Sequence, residues 1–345
     1  MSKTRFSICI PNYNYGRYLK DTLDSVLNQK YAPYEIIISD NSSSDNSVEI
    51  VKSYDSSLIK LVENKYNIGY SGNIHKVTSM ATGDYIVFLP ADDLLKDNAL
   101  ADYAAIIERF GNQEREIIIS GQVESLYNNK VIRTIGPKMG KIEKKLGENY
   151  VSREPDIEIF DGKDIFKILM TTDFTVHGPS PATCFPKSLF DKVEGYNSPV
   201  VIIPDATLSH KLCFMNPKVI YFHKPLAYFR LHESNNTADL DRVSNIKILT
   251  DKYIISHEFS EDQLKSVGLN RGDLKNAFIK NWCVNVPFQS LYSGKIAKFY
   301  HYFIFGFASY PSLMLKQFKT YIVFLLIIFS PIFWLAGKFY RKVLK

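Results

Sequence analysis

The chain has 345 residues, 46% of them hydrophobic and 23% charged, which allows a sizeable core and excludes global disorder. Four scattered cysteines (Cys9, Cys184, Cys213, Cys283) form no CxxC pair, which excludes a disulfide framework or a zinc ribbon and fits a reducing compartment. The net charge of +6 is uneven: from Leu274 onward there are ten Lys or Arg and no Asp or Glu, leaving 32 basic against 36 acidic residues in the rest, so a mildly acidic body precedes a basic tail whose partner is an anionic surface, either nucleic acid or a membrane leaflet.

Residues 1–5 are polar and basic, and the apolar run that follows closes at Pro11. That run is too short for a signal peptide, so the body is expected to stay in the cytoplasm. Buried strands are predicted at 6–10, 34–39 (YEIIIS), 59–63 and 85–89 (YIVFL). Between them lie helices at 18–28, with Leu19, Leu23, Val26 and Leu27 at helical spacing, at 47–54 and at 72–81. This alternation predicts βαβ units, a parallel sheet, and ligand-binding residues just after each strand. Further on, 117–120, 131–135, 219–222 and 227–231 read as strands, and 165–170, 187–193 and 244–258 as helices. The polar stretch 136–161 reads as loop. No internal repeat and no low-complexity tract occurs.

Three polar turns follow the first strands. Pro11-Asn12-Tyr13-Asn14-Tyr15-Gly16 offers aromatic faces and amides that could meet a base, although Asn and Gly also serve a plain βα turn. Asp40-Asn41-Ser42-Ser43-Ser44-Asp45 offers a polar pocket floor, with Ser44 or Asp45 able to cap the next helix. Pro90-Ala91-Asp92-Asp93 places two adjacent carboxylates after an apolar strand. Packing does not explain that pair, because the charges repel and their burial is costly. A divalent cation relieves both effects; the plain alternative is a solvated turn with Asp93 capping a helix at 94–110. The chain lacks GxxxxGK[ST] and GxGxxG, which argues against P-loop and dinucleotide chemistry and leaves a metal to hold a diphosphate.

These turns, in this order, resemble the opening of family-2 glycosyltransferases with the GT-A fold. The likeness runs through SICIPNYNYGRYLKDTLDSVLNQKYAPYEIIISDNSSSDNS, Asn67-Ile68-Gly69 to Asn73, Ala81-Thr82-Gly83-Asp84-Tyr85-Ile86 and Leu89-Pro90-Ala91-Asp92-Asp93. It is strong over residues 6–96 and looser to about residue 232. It implies an α/β fold with a mostly parallel central sheet flanked by helices, and a nucleotide-sugar donor. Pro11 and Tyr13 would line the base pocket. Asp40 and Asn41 match an acidic pair on base and ribose, with Asn41 where many members carry Asp. Asn67, Gly69 and Asn73 belong to the same donor-binding set. Asp92 and Asp93 match the end of a motif that binds Mg²⁺ or Mn²⁺, whose usual first Asp is Pro90 here. Asp205 matches a catalytic base, with Pro204 where an acidic partner is usual. In Phe229-Arg230-Leu231-His232 the Arg or His would approach the diphosphate, and His232 would complete the metal shell. The implied reaction is a single inverting displacement. A metal-dependent nucleotidyltransferase and a non-catalytic membrane scaffold stay open as alternatives.

The tail carries seven aromatics between positions 299 and 310, then eighteen uncharged residues at 320–337. As a helix the latter measures about 27 Å, near the hydrocarbon thickness of a bilayer. Lys316 and Lys319 flank it on one side and Lys338, Arg341, Lys342 and Lys345 on the other, while Pro331 invites a re-entrant hairpin rather than a span. The expectation is a catalytic domain over 1–232, a helical extension over 233–294 and a membrane-associating segment over 295–345, held at the cytoplasmic face of the membrane. That placement suits a polyprenyl-diphosphate-linked glycan as acceptor and argues against nucleic acid as partner.

Overall fold

The computed structural model describes residues 3–111, 116–136, 152–172, 180–197, 204–233, 250, 253–293 and 295–328. Two compact units divide the chain, one of residues 1–169 and 174–238, the other of residues 170–173 and 239–345.

In chain order the first unit holds β1 (Phe6–Asn12), α1 (Gly16–Leu27), β2 (Glu35–Asp40), α2 (Ser47–Lys52), β3 (Ile59–Glu63), α3 (Gly69–Ser79), β4 (Tyr85–Phe88), β5 (Leu94–Leu95) and α4 (Ala99–Phe110). Then come β6 (Ile117–Tyr127), β7 (Lys130–Ile135), β8 (Ser152–Glu154), β9 (Ile157–Asp161), α5 (Gly162–Thr171), β10 (Thr183–Pro186), α6 (Lys187–Lys192), α7 (Pro204–Phe214) and β11 (Lys218–Arg230). The β-branched runs alternate between two cores. Ile8, Ile10, Ile36, Ile38 and Val87 pack on one face with Leu19, Leu23 and Val26 of α1. Cys9, Ile37, Ile86 and Phe88 pack on the other with Ile74 and Val77 of α3 and Leu208 and Leu212 of α7. A sheet covered on both faces needs apolar residues at every position, which is why YEIIIS and YIVFL read as continuous runs. Each such buried side chain contributes about 1.5–3 kcal/mol.

The strand order is β3-β2-β1-β4-β10-β6-β11-β9-β8. β3, β2, β1 and β4 are parallel, but β10 runs antiparallel to both its neighbours and β9 antiparallel to β11. The sheet is therefore mixed, which corrects the expectation of a mostly parallel one. The expected loop over 136–161 is also corrected: β8 and β9 pair as an antiparallel edge, and residues 137–151 lie outside the described set. The two strands predicted at 219–222 and 227–231 are one, β11, with its register to β6 broken around Pro225. Proline has no N–H to give the ladder, and the break redirects the strand. Beyond the break β11 pairs with β5, Ala227 opposite Leu95 and Tyr228 opposite Leu94. The predicted helix over 94–110 thus starts later, at Ala99.

The second unit is helical among the described residues, with Glu261–Ser266 and Arg271–Phe278 each opened by a capping box. Of the predicted helix 244–258, residues 253–257 are helical and 244–249 lie outside the described set. Phe299, Tyr302 and Phe303 of the helix Ile296–Ser309 are buried with Phe278, Ile279, Cys283 and Met314. One face of the aromatic run is therefore core, while Tyr300 and Ile304 are exposed. Among the described residues no helix is long and apolar enough to cross a membrane. Phe318–Ile328 is helical, and the rest of 320–337, with Pro331, lies outside the described residues.

Candidate active site

The polar turns after β1, β2 and β4 gather at the C-terminal ends of the parallel strands, where an open α/β sheet binds ligands. The first two turns are knitted together. Asp40, 3% exposed, accepts from Asn12 Nδ2 at 2.8 Å and Ser43 Oγ at 2.6 Å through Oδ1, and from Ser43 N at 2.9 Å through Oδ2. Asn14 and Ser42 both take left-handed φ values of 57° and 64°, which sets these turns. Asn14 Oδ1 accepts from Ser44 N at 2.7 Å. Pro11 is buried beside them, and Tyr13 stands out, 46% exposed, as a free aromatic face.

Asn41 lies among buried amides. Its Nδ2 donates to Asn67 Oδ1 at 2.8 Å and Gly69 O at 3.3 Å, and its Oδ1 accepts from Asn64 Nδ2 at 3.1 Å and Ile68 N at 2.9 Å. Gly69, at φ +79°, needs the freedom of glycine to turn the chain into α3. Asn73 donates to Ser39 O at 2.9 Å and Asn12 O at 3.3 Å and accepts from Ser39 Oγ at 2.7 Å. Asn41, Asn67 and Gly69, singled out as donor-binding residues, thus bond to one another, and Asn64 Nδ2 links Asn41 Oδ1 to Asn73 Oδ1 at 3.1 and 3.0 Å.

The acidic turn is deeper. Thr22 Oγ1 on α1 lies 2.9 Å from both Ala91 O and Asp93 O, fixing the turn from below. Asp93 is 1% exposed; its Oδ1 accepts from Arg230 N at 2.9 Å, and its Oδ2 is buried with no hydrogen-bond partner. Burial, and then the charge of Asp92, pushes the Asp93 carboxyl well above the usual carboxylate range. Asp92, 8% exposed, meets His232 Nε2 at 3.0 Å through Oδ2; burial raises its carboxyl and the contact with His232 opposes the rise. The β5–β11 pairing is what carries Arg230 and His232 to this turn. Arg230 also reaches Asp21 Oδ2 at 3.3 Å.

Asp205 sits in the first turn of α7. Tyr70, at the start of α3, is 46% exposed. Its phenol is pushed above its usual range, by enclosure first and then by the charges of Asp205, Asp92 and Asp93, which solvent partly screens. Asp205 also raises the buried phenol of Tyr196, after burial itself. Tyr15 is pushed up to about 12 by burial and by Asp92 and Asp93.

Two adjacent carboxylates, one with a buried oxygen lacking a partner, are the oxygen chemistry a hard divalent cation takes. Among the described residues no group of three or more His, Cys, Asp or Glu side chains could hold an ion by itself. With Asp93 Oδ2 unpartnered and Asp92 Oδ2 meeting His232 Nε2, these side chains fit an ion only as part of a shell that a ligand's own oxygens complete.

Residues 7–150 match the family model described as glycosyl transferase family 2. The chain carries a family 2 glycosyltransferase domain. Among curated relatives of that family 2 domain, the amylovoran biosynthesis glycosyltransferase AmsB of Erwinia amylovora is 32% identical over 140 residues, 39% of this chain and 46% of that protein. The UDP-Glc:alpha-D-GlcNAc-diphosphoundecaprenol beta-1,3-glucosyltransferase WfgD of Escherichia coli is 31% identical over 126 residues, 36% of this chain and 48% of that protein. The matches thus span about half the length of these relatives. The crystal structure of Staphylococcus aureus TarS 1-349 in complex with UDP-GlcNAc superposes with a TM-score of 0.55 at 17% identity, covering 80% of this chain and 71% of that one, which establishes a GT-A-like fold. Sequence reading found the aspartates and asparagines of the domain but missed Thr22, Tyr18 and Tyr70. Thr22 and Tyr18 are ordinary helix residues in sequence, and only the fold brings them to the acidic turn and to His232; Tyr70 precedes the helix predicted at 72–81.

Proposed function

We propose that this chain is an inverting glycosyltransferase that moves a sugar from a nucleotide-diphosphate donor to a hydroxyl of a lipid-linked glycan. The observation that carries the reading is the buried acidic turn at the C-terminal edge of the sheet, where Asp92 meets His232 at 3.0 Å and Asp93 Oδ2 is buried without a hydrogen-bond partner. Tyr13 offers a stacking face for the base, and the loop of Asp40 and Asn41 forms the floor under base and ribose. Asp92 or Asp93, with His232, would hold Mg²⁺ or Mn²⁺, which when bound neutralises charge on the departing diphosphate. Asp205 takes the proton from the acceptor hydroxyl as that oxygen attacks the anomeric carbon. The bond to the diphosphate breaks in the same displacement, and the anomeric configuration inverts.

Two features support a lipid-linked acceptor at the inner membrane face. WfgD is named for a diphosphoundecaprenol acceptor, and the tail from Leu274 has ten basic residues and no acidic ones. The test is release of free nucleoside diphosphate from a panel of nucleotide sugars with Mn²⁺ and lipid extract, with and without a chelator. Turnover lost on chelation is expected. No turnover with any donor favours the membrane scaffold, and pyrophosphate released from a nucleoside triphosphate favours a nucleotidyltransferase.

A further inference from the structure

Tyr18 is half-buried on α1, one turn before the buried Thr22. Three charged or ionisable groups meet its ring. The imidazole of His232 stacks on it with centroids 4.6 Å apart and planes 27° from parallel. The guanidinium of Arg230 stands 4.8 Å from the ring centroid, and that of Arg17 stands 4.4 Å away. Tyr15 closes on the same imidazole edge-on at 5.8 Å.

His232 follows β11 by two residues, just past the backbone bond from Leu231 N to Leu126 O at 2.7 Å. Two of the contacts on its imidazole are of different kinds. Asp92 Oδ2, at 3.0 Å from Nε2, sets the direction of one ring edge, and the face of Tyr18 sets the plane. A stacked face fixes the plane of a ring, which a hydrogen bond at the ring edge does not do by itself. The same face steers the Arg230 guanidinium, whose backbone N–H holds Asp93 and whose side chain reaches Asp21. An aromatic face is suited to this task because it attracts guanidinium and imidazolium groups by about 0.5–2 kcal/mol without competing for their hydrogen bonds.

We infer that Tyr18 is a positioning residue for the transfer reaction, acting through His232: its ring sets the plane in which the imidazole faces Asp92 and the diphosphate subsite. This inference rests on the transferase reading above. The working element is the ring rather than the hydroxyl, because all three contacts are made with the ring.

The test is a double-mutant cycle on kcat/KM with Tyr18→Leu, His232→Gln and the pair, with Tyr18→Phe as the conservative variant. Tyr18→Phe is expected to keep activity within about twofold and Tyr18→Leu to lose roughly tenfold or more. The pair is expected to be no worse than His232→Gln alone, since residues acting through one another are not additive. A second readout needs no turnover. In histidine-labelled protein the ring protons of His232 should show an aromatic ring-current shift by NMR, kept in Tyr18→Phe and lost in Tyr18→Leu. Losses that add in the pair, or a His232 signal indifferent to Tyr18→Leu, overturn the inference. A wild-type chain that releases no nucleoside diphosphate from any donor overturns the transferase reading separately, because the ring-current shift is read on the resting protein.

Discussion

Asp205 and Asn41 mark two kinds of residue in the proposed site, one proposed to react and one placed to hold. The charge of Asp205 raises the phenols of Tyr70 and Tyr196, after burial in each case. Asp205→Asn removes the proton acceptor at nearly constant shape. It is expected to lower kcat by about 100-fold or more while calorimetric binding of the nucleoside diphosphate survives; loss of binding would assign Asp205 to the donor site instead. Asn41 stands where many members of the family carry Asp, and its surroundings say why it is an amide here. Its Nδ2 faces two oxygens, Asn67 Oδ1 and Gly69 O. Asn67 cannot turn its own amide to compensate without giving up the 2.8 Å bond from Gly69 N. Asn41→Asp therefore sets a buried carboxylate against two acceptors and should cost about 2–4 kcal/mol of stability, read from urea denaturation. A stability unchanged within error would show that the 67–69 turn adapts.

At the scale of elements, legibility followed the distance over which an element is specified. β1, β2 and β4 were readable because a doubly covered strand needs apolar residues at each position, and Ile36-Ile37-Ile38 supplies them locally. β10 was missed because it is four residues long and ends in Pro186. Its antiparallel place between β4 and β6 is dictated by those partners, not by its own pattern. The same holds for the site: Asp92 and Asp93 announce themselves as adjacent charges, whereas the Thr22 and Arg230 contacts that fix them span 71 and 137 positions. The opposite end of the sheet has its own long-range tie. Glu35, at the start of β2, accepts from Ser7 Oγ at 2.7 Å, Thr82 N at 2.7 Å and Lys60 Nζ at 2.6 Å. Burial alone would raise its carboxyl, but these donors outweigh it and hold the value down to about 2. A depressed carboxylate stabilises the fold above its unfolded value near 4.5 and loses that contribution as pH falls towards 2. Wild type should therefore exceed Glu35→Gln by about 2–3 kcal/mol at pH 7, with the gap closing between pH 4.5 and 2 in denaturant titrations. A gap independent of pH would mean that shape, not charge, holds β2 to its neighbours.

For the whole molecule, the proposed membrane contact draws on the distribution of charge and apolar surface. On the helix Phe318–Ile328, Phe318, Tyr321 and Leu325 are 77%, 50% and 54% exposed. Their spacing of three and four residues puts them on one side of the helix. Lys316 and Lys319 neighbour that stripe, in a tail without a single acidic residue from Leu274 onward. An exposed apolar stripe beside lysines is the pattern of a helix lying in the interface of an anionic leaflet. The inner core of the same unit, from Phe278 to Met314, ends before this helix, so a chain cut after Ile328 should keep that core. The full chain should sediment with vesicles containing anionic lipid and much less with neutral ones, and added salt should weaken the interaction. Removing 329–345 should reduce binding without abolishing it, because the Phe318 stripe remains. Replacing Phe318, Tyr321 and Leu325 together with Asp should remove the rest. Equal sedimentation with neutral and anionic vesicles would leave the basic tail without a membrane role. Binding unchanged by the triple replacement would move the contact wholly into 329–345.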